Sequence, residues 1–257
     1  FLEAACSLTT QVSHFPIDVT GAAGEELATD IAVISPKNPR ALLILSSATH
    51  GVEGFCGSAC QLALLQDTEL LAKAAKEGIS ILLIHAINPY GFSWCSRTNE
   101  DNIDLNRNAL SFKKPLPSSP SYDQLHQLLI PNEWPPTEDN RLAIEKYIEQ
   151  HGMINYRDAV SKGQYSQPQG IFFGGNSQSS SIRTLNQVLQ THASGYSDIG
   201  WIDFHTGLGP YGHGEKIFAG RPISEEVGRA KKWWGQDIAI PCAGTSASAE
   251  LSGVVAS

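Results

Sequence analysis

The chain has 257 residues, with 41% hydrophobic and 17% charged positions and a formal net charge of −8. This is the composition of a folded globular protein rather than a disordered one, and the acidic balance argues against a nucleic-acid-binding face. No run approaches the roughly 20 apolar residues a membrane helix needs, so neither nucleic acid nor membrane is an expected partner.

Residues 41–47 (ALLILSS) form a continuous apolar run, as in a strand buried on both faces. A short polar stretch, 49–54, leads into residues 56–71, which have helical periodicity. Residues 79–87 (ISILLIHAI) read as a second buried strand that ends at the turn signal Asn88-Pro89-Tyr90-Gly91. This strand–helix–strand order predicts a parallel pair with a right-handed crossover.

Residues 113–136 are rich in Pro and Ser and predict a surface excursion with a short helix over 123–129. A helix is expected over 137–150, started by Thr137, and another over 179–192. Residues 163–175 read as a glycine- and glutamine-rich loop. Residues 199–204 (IGWIDF) read as a third buried strand that delivers His205, followed by a glycine-dense loop at 207–214 and a helix over 225–234. Strands alternating with helices predict an α/β, three-layer α/β/α architecture on a mostly parallel mixed sheet. No repeat or linker divides the chain, so residues 1–257 are expected to form a single domain. In such sheets ligands bind beyond the carboxyl ends of the strands.

The five cysteines, Cys6, Cys56, Cys60, Cys95 and Cys242, are odd in number and widely spaced. They do not read as a disulfide framework. Small buried thiols in a reducing compartment are expected, with a metal-binding pair at Cys56 and Cys60 as the alternative, and with them a cytoplasmic location. Cys56 and Cys60 lie four apart, on one face if that segment is helical.

Three clusters could carry chemistry. His50 and Glu53, in Thr49-His50-Gly51-Val52-Glu53-Gly54, sit just past the first buried strand, where they could converge on one metal ion; a solvated histidine beside a helix-capping glutamate is the competing reading. His205 follows the third strand, in Asp203-Phe204-His205, with Asp203 two residues earlier and so on the same side of the strand. Together His50, Glu53 and His205 make a His₂Glu set of the kind catalytic zinc uses. The third cluster, Arg97 through Asp104, Asn106, Arg107 and Asn108, offers cations for an oxyanion and planar donors for a carboxylate; a charged surface loop is its plain alternative.

The order His-x-x-Glu, Asn-Pro-x-Gly, Arg, Asp-Leu-Asn-Arg-Asn, and a strand ending Asp-Phe-His resembles the zinc carboxypeptidase superfamily, which includes the succinylglutamate desuccinylase and aspartoacylase branch. The strings Thr-His-Gly-Val-Glu-Gly-Phe-Cys-Gly-Ser and Phe-His-Thr-Gly-Leu-Gly-Pro-Tyr-Gly-His-Gly-Glu are closer still to an uncharacterised subgroup of it. The resemblance covers roughly residues 30–220.

It implies one zinc ion on His50, Glu53 and His205, with Asp104 orienting the first of these histidines. It implies Arg97 polarising the scissile carbonyl, and Asn106 and Arg107 gripping a substrate carboxylate. The implied activity is zinc-dependent hydrolysis of an amide bond next to a carboxylate, in a small peptide or an N-acyl amino acid. The alternative is a catalytically impaired zinc-binding homologue that recognises a carboxylated ligand. A serine hydrolase would need a Gly-x-Ser-x-Gly elbow, which the sequence lacks.

The family's general base is a glutamate on a late strand, and no position here matches it. Glu250, the one acidic residue among the last twenty, sits in a segment that does not read as a buried strand. The expectation is therefore a metallocarboxypeptidase-like domain short of its C-terminal part. Tyr211, His213 and Glu215, in and beside the loop after His205, could assist the site or close a turn.

Overall fold

The computed structural model describes residues 1–9, 11–207, 209–241 and 254–255. In chain order it contains helix α1 (Leu2–Cys6), strands β1 (Val12–Thr20), β2 (Glu26–Ile34) and β3 (Ala41–Ser46), helices α2 (Gly54–Gln66) and α3 (Thr68–Lys76), strand β4 (Ile79–His85), and helix α4 (Pro89–Trp94). A 3₁₀ turn (Leu105–Arg107) follows, then helices α5 (Pro120–Leu129), α6 (Glu138–His151), α7 (Met153–Ser161) and α8 (Ser180–His192), strand β5 (Asp198–Asp203), and helix α9 (Ser224–Trp234).

Among the described residues five strands form one mixed sheet in the order β1-β2-β4-β3-β5. β3 pairs in parallel with both β4 and β5, while β2 runs antiparallel to β1 and β4. The architecture is α/β with a parallel centre, as the motif order implied.

The apolar runs become the middle of this sheet because both their faces are covered. Leu42, Ile44 and Leu45 in β3 and Ile81 to Ile84 in β4 are buried. One face gathers Leu45, Ile81 and Leu83 against Ala32 of β2, Ala5 of α1 and Leu65 of α2. Each such aliphatic side chain contributes about 1.5–3 kcal/mol on burial.

Four local features depart from the sequence reading. β1 and β2 were not foreseen, because they lack an unbroken apolar run. β1 alternates between exposed and half-buried positions and carries Pro16, which an edge strand tolerates since its missing N–H leaves no ladder bond unmade. β5 is not a buried strand: among the described residues it lies at the other edge, exposed at its start and half-buried beyond, with β3 as its neighbour on one side only. The helix expected over 56–71 is two helices, because Asp67 leaves the helical region (φ −86, ψ 83) and its side chain accepts from Leu70 N at 2.9 Å, capping α3. The turn at 88–91 opens α4, with Asn88 Oδ1 accepting from Gly91 N at 2.8 Å and Pro89 in the first turn.

The described chain divides into two compact units, Phe1–Asp101 with Ser179–Gly207, and Asn102–Gln178 with Leu208–Ser257. The first holds the whole sheet with α1 to α4 and α8. The second holds the 3₁₀ turn, the mutually packed helices α5, α6 and α7, and α9. No helix among the described residues is long and apolar enough to cross a membrane.

Candidate metal centre

The parallel pairing of β3 with β5 sets Ser46 opposite Asp203. The two strands therefore end side by side, and whatever follows each of them emerges at the same carboxyl end of the sheet. Beyond β3 the backbone is pinned: Ile87 N donates to Ser47 O at 2.9 Å and Asn88 N to Ala48 O at 3.0 Å. Gly51 then passes so close to other backbone that an added Cβ would lie 1.8 Å from Gly91 O and 2.1 Å from Ser96 O. Its N–H donates to Ser96 O at 2.9 Å. Glu53 occupies the N-cap position of α2. At Gly57 that helix runs against the strand ends, where a Cβ would meet Ser47 Cβ at 2.7 Å and Phe204 Cβ at 2.9 Å. Two glycines thus permit the close backbone approaches that aim His50 and Glu53.

The three side chains converge. His50 Nδ1 lies 3.0 Å from Glu53 Oε1, and His205 Nδ1 lies 2.9 Å from Glu53 Oε2. One donor atom from each residue falls within 4.8 Å of the other two. Thr206 N donates to Glu53 Oε2 at 3.2 Å, and Arg97 Nη1 stands 3.5 Å from Oε1. Two imidazole nitrogens and one carboxylate are the His₂Glu donors of catalytic zinc sites, so the residues fit the ion that the sequence implied.

Behind His205 stands a carboxylate that the sequence reading noted but gave no role. Asp203 Oδ2 lies 2.7 Å from His205 Nε2. Asp203 also accepts from Ser46 Oγ at 2.6 Å and Thr49 Oγ1 at 2.9 Å, and Ser46 Oγ accepts from Trp201 Nε1 at 2.8 Å. The available signal was the two-residue spacing on a strand, which puts Asp203 and His205 on one side. Such a carboxylate fixes the tautomer of a metal-binding histidine, holding the proton on Nε2 and leaving Nδ1 for the metal.

The electrostatics follow from this packing. Burial alone would raise the Glu53 pKa, but hydrogen bonds from His205 and His50 and the charge on both rings hold it down at about 2. Burial alone would lower the His205 pKa, but the charge and hydrogen bond of Asp203, then those of Glu53, push it up to about 10. Without a metal, a protonated His205 is thus clasped between two carboxylates.

The remaining expected residues lie in the second unit. Asp104 is buried and caps the 3₁₀ turn, its Oδ1 accepting from Asn106 N at 3.0 Å, with Arg107 Nη1 at 3.9 Å from its other oxygen. Asn106 Oδ1 accepts from Val255 N at 2.9 Å. The Arg107 side chain is 2% exposed. Its Nε and Nη2 donate to Ser161 O at 3.1 and 2.5 Å, and its guanidinium stacks 5.1 Å from the Phe172 ring. Tyr211 is fully exposed, and His213 and Glu215 line a surface cleft with Lys231 and Asp237. Glu250 lies outside the described residues.

Solved structures that match this chain include thrombin-activatable fibrinolysis inhibitor, at 14% identity and TM-score 0.48 over 90% of this chain and 50% of that one. A metallo-carboxypeptidase from Burkholderia cenocepacia matches at 14% identity and TM-score 0.31, over 58% of this chain and 36% of that one. A Zn-dependent exopeptidase from Parabacteroides distasonis matches at 14% identity and TM-score 0.25, over 79% and 72%. The chain spans about half the length of the first of these. A search of curated proteins finds no match. The family model described as "Protein of unknown function (DUF2817)" matches residues 1–257, and the chain belongs to that family.

Proposed function

We propose that this chain is a zinc-dependent hydrolase that cleaves an amide bond next to a carboxylate, in a small peptide or an N-acyl amino acid. The observation that carries the reading is the convergence of His50, Glu53 and His205 within 4.8 Å at the carboxyl ends of two parallel strands. Zinc held there would lower the pKa of a bound water toward about 7 and polarise a carbonyl.

The chain's own groups support that chemistry. Asp203 holds the proton on His205 Nε2 and keeps Nδ1 directed at Glu53. Ser46 and Thr49 hold Asp203 in turn, so the ligand cannot rotate without breaking several hydrogen bonds. Arg97, whose side chain is 42% exposed, sets a guanidinium beside Glu53, where it would meet the charge that develops on a carbonyl oxygen under attack. In this reading Asp104 orients His50, and Asn106 and Arg107 grip the substrate carboxylate, with Arg107 sharing its donors between substrate and Ser161.

Metal analysis of purified protein, combined with turnover of a peptide panel and an N-acyl amino-acid panel, tests the proposal. About one equivalent of zinc is expected, lost in His50→Ala and in His205→Ala, with turnover that disappears in the same variants. Protein without zinc while both histidines are intact would overturn the metal site. Zinc-loaded protein that turns over neither panel would overturn the hydrolase and leave a zinc-binding protein that recognises a carboxylated ligand.

A further inference from the structure

Helix α2 buries Gly54, Gly57, Gln61 and Leu65. Cys56 and Cys60, expected from the sequence to be buried, stand instead on its opposite, exposed side, and both are free thiols. Four residues apart on an α-helix they are neighbours, with Cβ atoms about 5–6 Å from each other. The sulfurs sense one another: the Cys60 thiol pKa is raised by burial first, and then by the charge and hydrogen bonding of Cys56.

That spacing selects among the reactions open to two thiols. A disulfide needs Cβ atoms about 3.5–4.5 Å apart, which an intact helical turn does not provide. A single thiophilic atom placed between the sulfurs, with bonds near the roughly 2.3 Å typical of metal–thiolate contacts, bridges up to about 4.6 Å and suits the helix as it stands. Thiolate pairs select soft centres, and a rigid helix holds both sulfurs in place before binding, which lowers the ordering cost.

We propose that Cys56 and Cys60 form a two-thiol chelating site for trivalent arsenicals and for the soft cations that share their preference for paired thiolates. With a monosubstituted arsenical the step is a condensation without redox change. Two S–H bonds and the arsenic–oxygen bond break, two arsenic–sulfur bonds form, and both protons leave with the oxygen as one water. The site contains no histidine or carboxylate and does not depend on the zinc reading above.

Phenylarsine oxide is the suitable probe, because it engages paired thiols and ignores His₂Glu donors. The purified protein is treated with one equivalent, alkylated with iodoacetamide, and mapped by peptide mass. Cys56 and Cys60 are expected to be protected together, while Cys6 and Cys95 are alkylated as in untreated protein. Binding should be lost in Cys56→Ser and in Cys60→Ser, and retained in Cys6→Ser, Cys95→Ser and Cys242→Ser. Alkylation of Cys56 and Cys60 at the untreated rate, or full retention of the arsenical in either of their serine variants, would overturn the site. The wild-type protection pattern decides the matter even if a variant fails to fold.

Discussion

Asp203 and Glu53 hold the two nitrogens of His205 from opposite sides, at 2.7 Å from Nε2 and 2.9 Å from Nδ1. One carboxylate belongs to the edge strand β5 and the other to the start of α2, so the orientation of the ring is fixed by elements far apart in sequence. Replacing Asp203 with Asn keeps the shape but removes the charge that favours a proton on Nε2. Zinc affinity should fall by about 10–100-fold, the usual cost of losing a group that orients a metal ligand. Competition titration against a chromophoric chelator measures this, and unchanged affinity would show that Asp203 does not orient the ligand.

The same contacts predict how zinc binding and stability depend on pH. His205 is held protonated up to about 10, yet a metal needs its Nδ1 free of the proton. Between pH 7 and 9 His205 should therefore contribute one released proton per zinc bound, and affinity should climb with pH. Calorimetry in buffers of different ionisation enthalpy counts that proton. In Asp203→Asn it should be absent from the count at pH 8 or above, because the raised pKa depends first on Asp203. Without metal, the raised His205 pKa contributes stability fully present below its ordinary value of 6.5 and lost as pH rises through about 10. The lowered Glu53 pKa contributes stability present above 4.5 and lost as pH falls toward about 2. Thermal melts of metal-free wild type and Glu53→Gln should differ most between these limits, at pH 4.5–6.5. A difference independent of pH would rule out this electrostatic account.

Gly51 tests how the metal loop is aimed. A Cβ there would sit 1.8 Å from a backbone oxygen, not from a side chain that could swing aside. Gly51→Ala should destabilise the protein by about 1–3 kcal/mol, as overpacking does. It should also impair zinc retention, since His50 and Glu53 flank the displaced residue. Gly228, in α9, is the control, because an added Cβ meets nothing within 4 Å and the backbone is helical. Gly228→Ala should stabilise by about 0.4–1 kcal/mol through the unfolded state. Urea unfolding of both variants is the measurement; equal effects would mean that the close approach at Gly51 is unimportant.

These contrasts show what the sequence made readable. β3 and β4 were legible because burial on both faces demands an unbroken apolar run. β1 was not, because an edge strand with one exposed face spreads its apolar residues among polar ones, and Pro16 reads as a breaker until the edge is known; in β2, between β1 and β4, Thr29 and Asp30 interrupt the apolar run. The candidate cluster was legible from residue order: His50, Glu53 and His205 each follow a strand, and the motifs between them occur in a fixed sequence. The partner of His205 was half legible. Spacing places Asp203 on the same side of β5, but only the register with Ser46 shows the hydroxyls of Ser46 and Thr49 holding it. The break at Asp67 was hidden because helical periodicity runs on through it, and the capping bond to Leu70 overrides that periodicity.

The two arginines read from one motif stand in different surroundings, and this yields the last prediction. Arg97 is partly exposed and touches Glu53 at 3.5 Å. Removing it should change stability by at most about 1 kcal/mol, yet lower kcat by about 10²–10³ if it meets the developing oxyanion. Arg107 is buried, bonded to the Ser161 carbonyl at the end of α7 and close to the buried Asp104. Arg107→Ala would remove the charge beside that carboxylate and the bonds to the carbonyl, at a cost of about 3–5 kcal/mol, whatever it does to substrate affinity. Urea unfolding and steady-state kinetics on both variants separate the roles. Arg97→Ala should keep its unfolding midpoint and lose kcat, and Arg107→Ala should lose its midpoint first. If Arg107→Ala instead keeps full stability and only KM rises, the buried bonds to Ser161 are dispensable and the guanidinium serves the substrate alone.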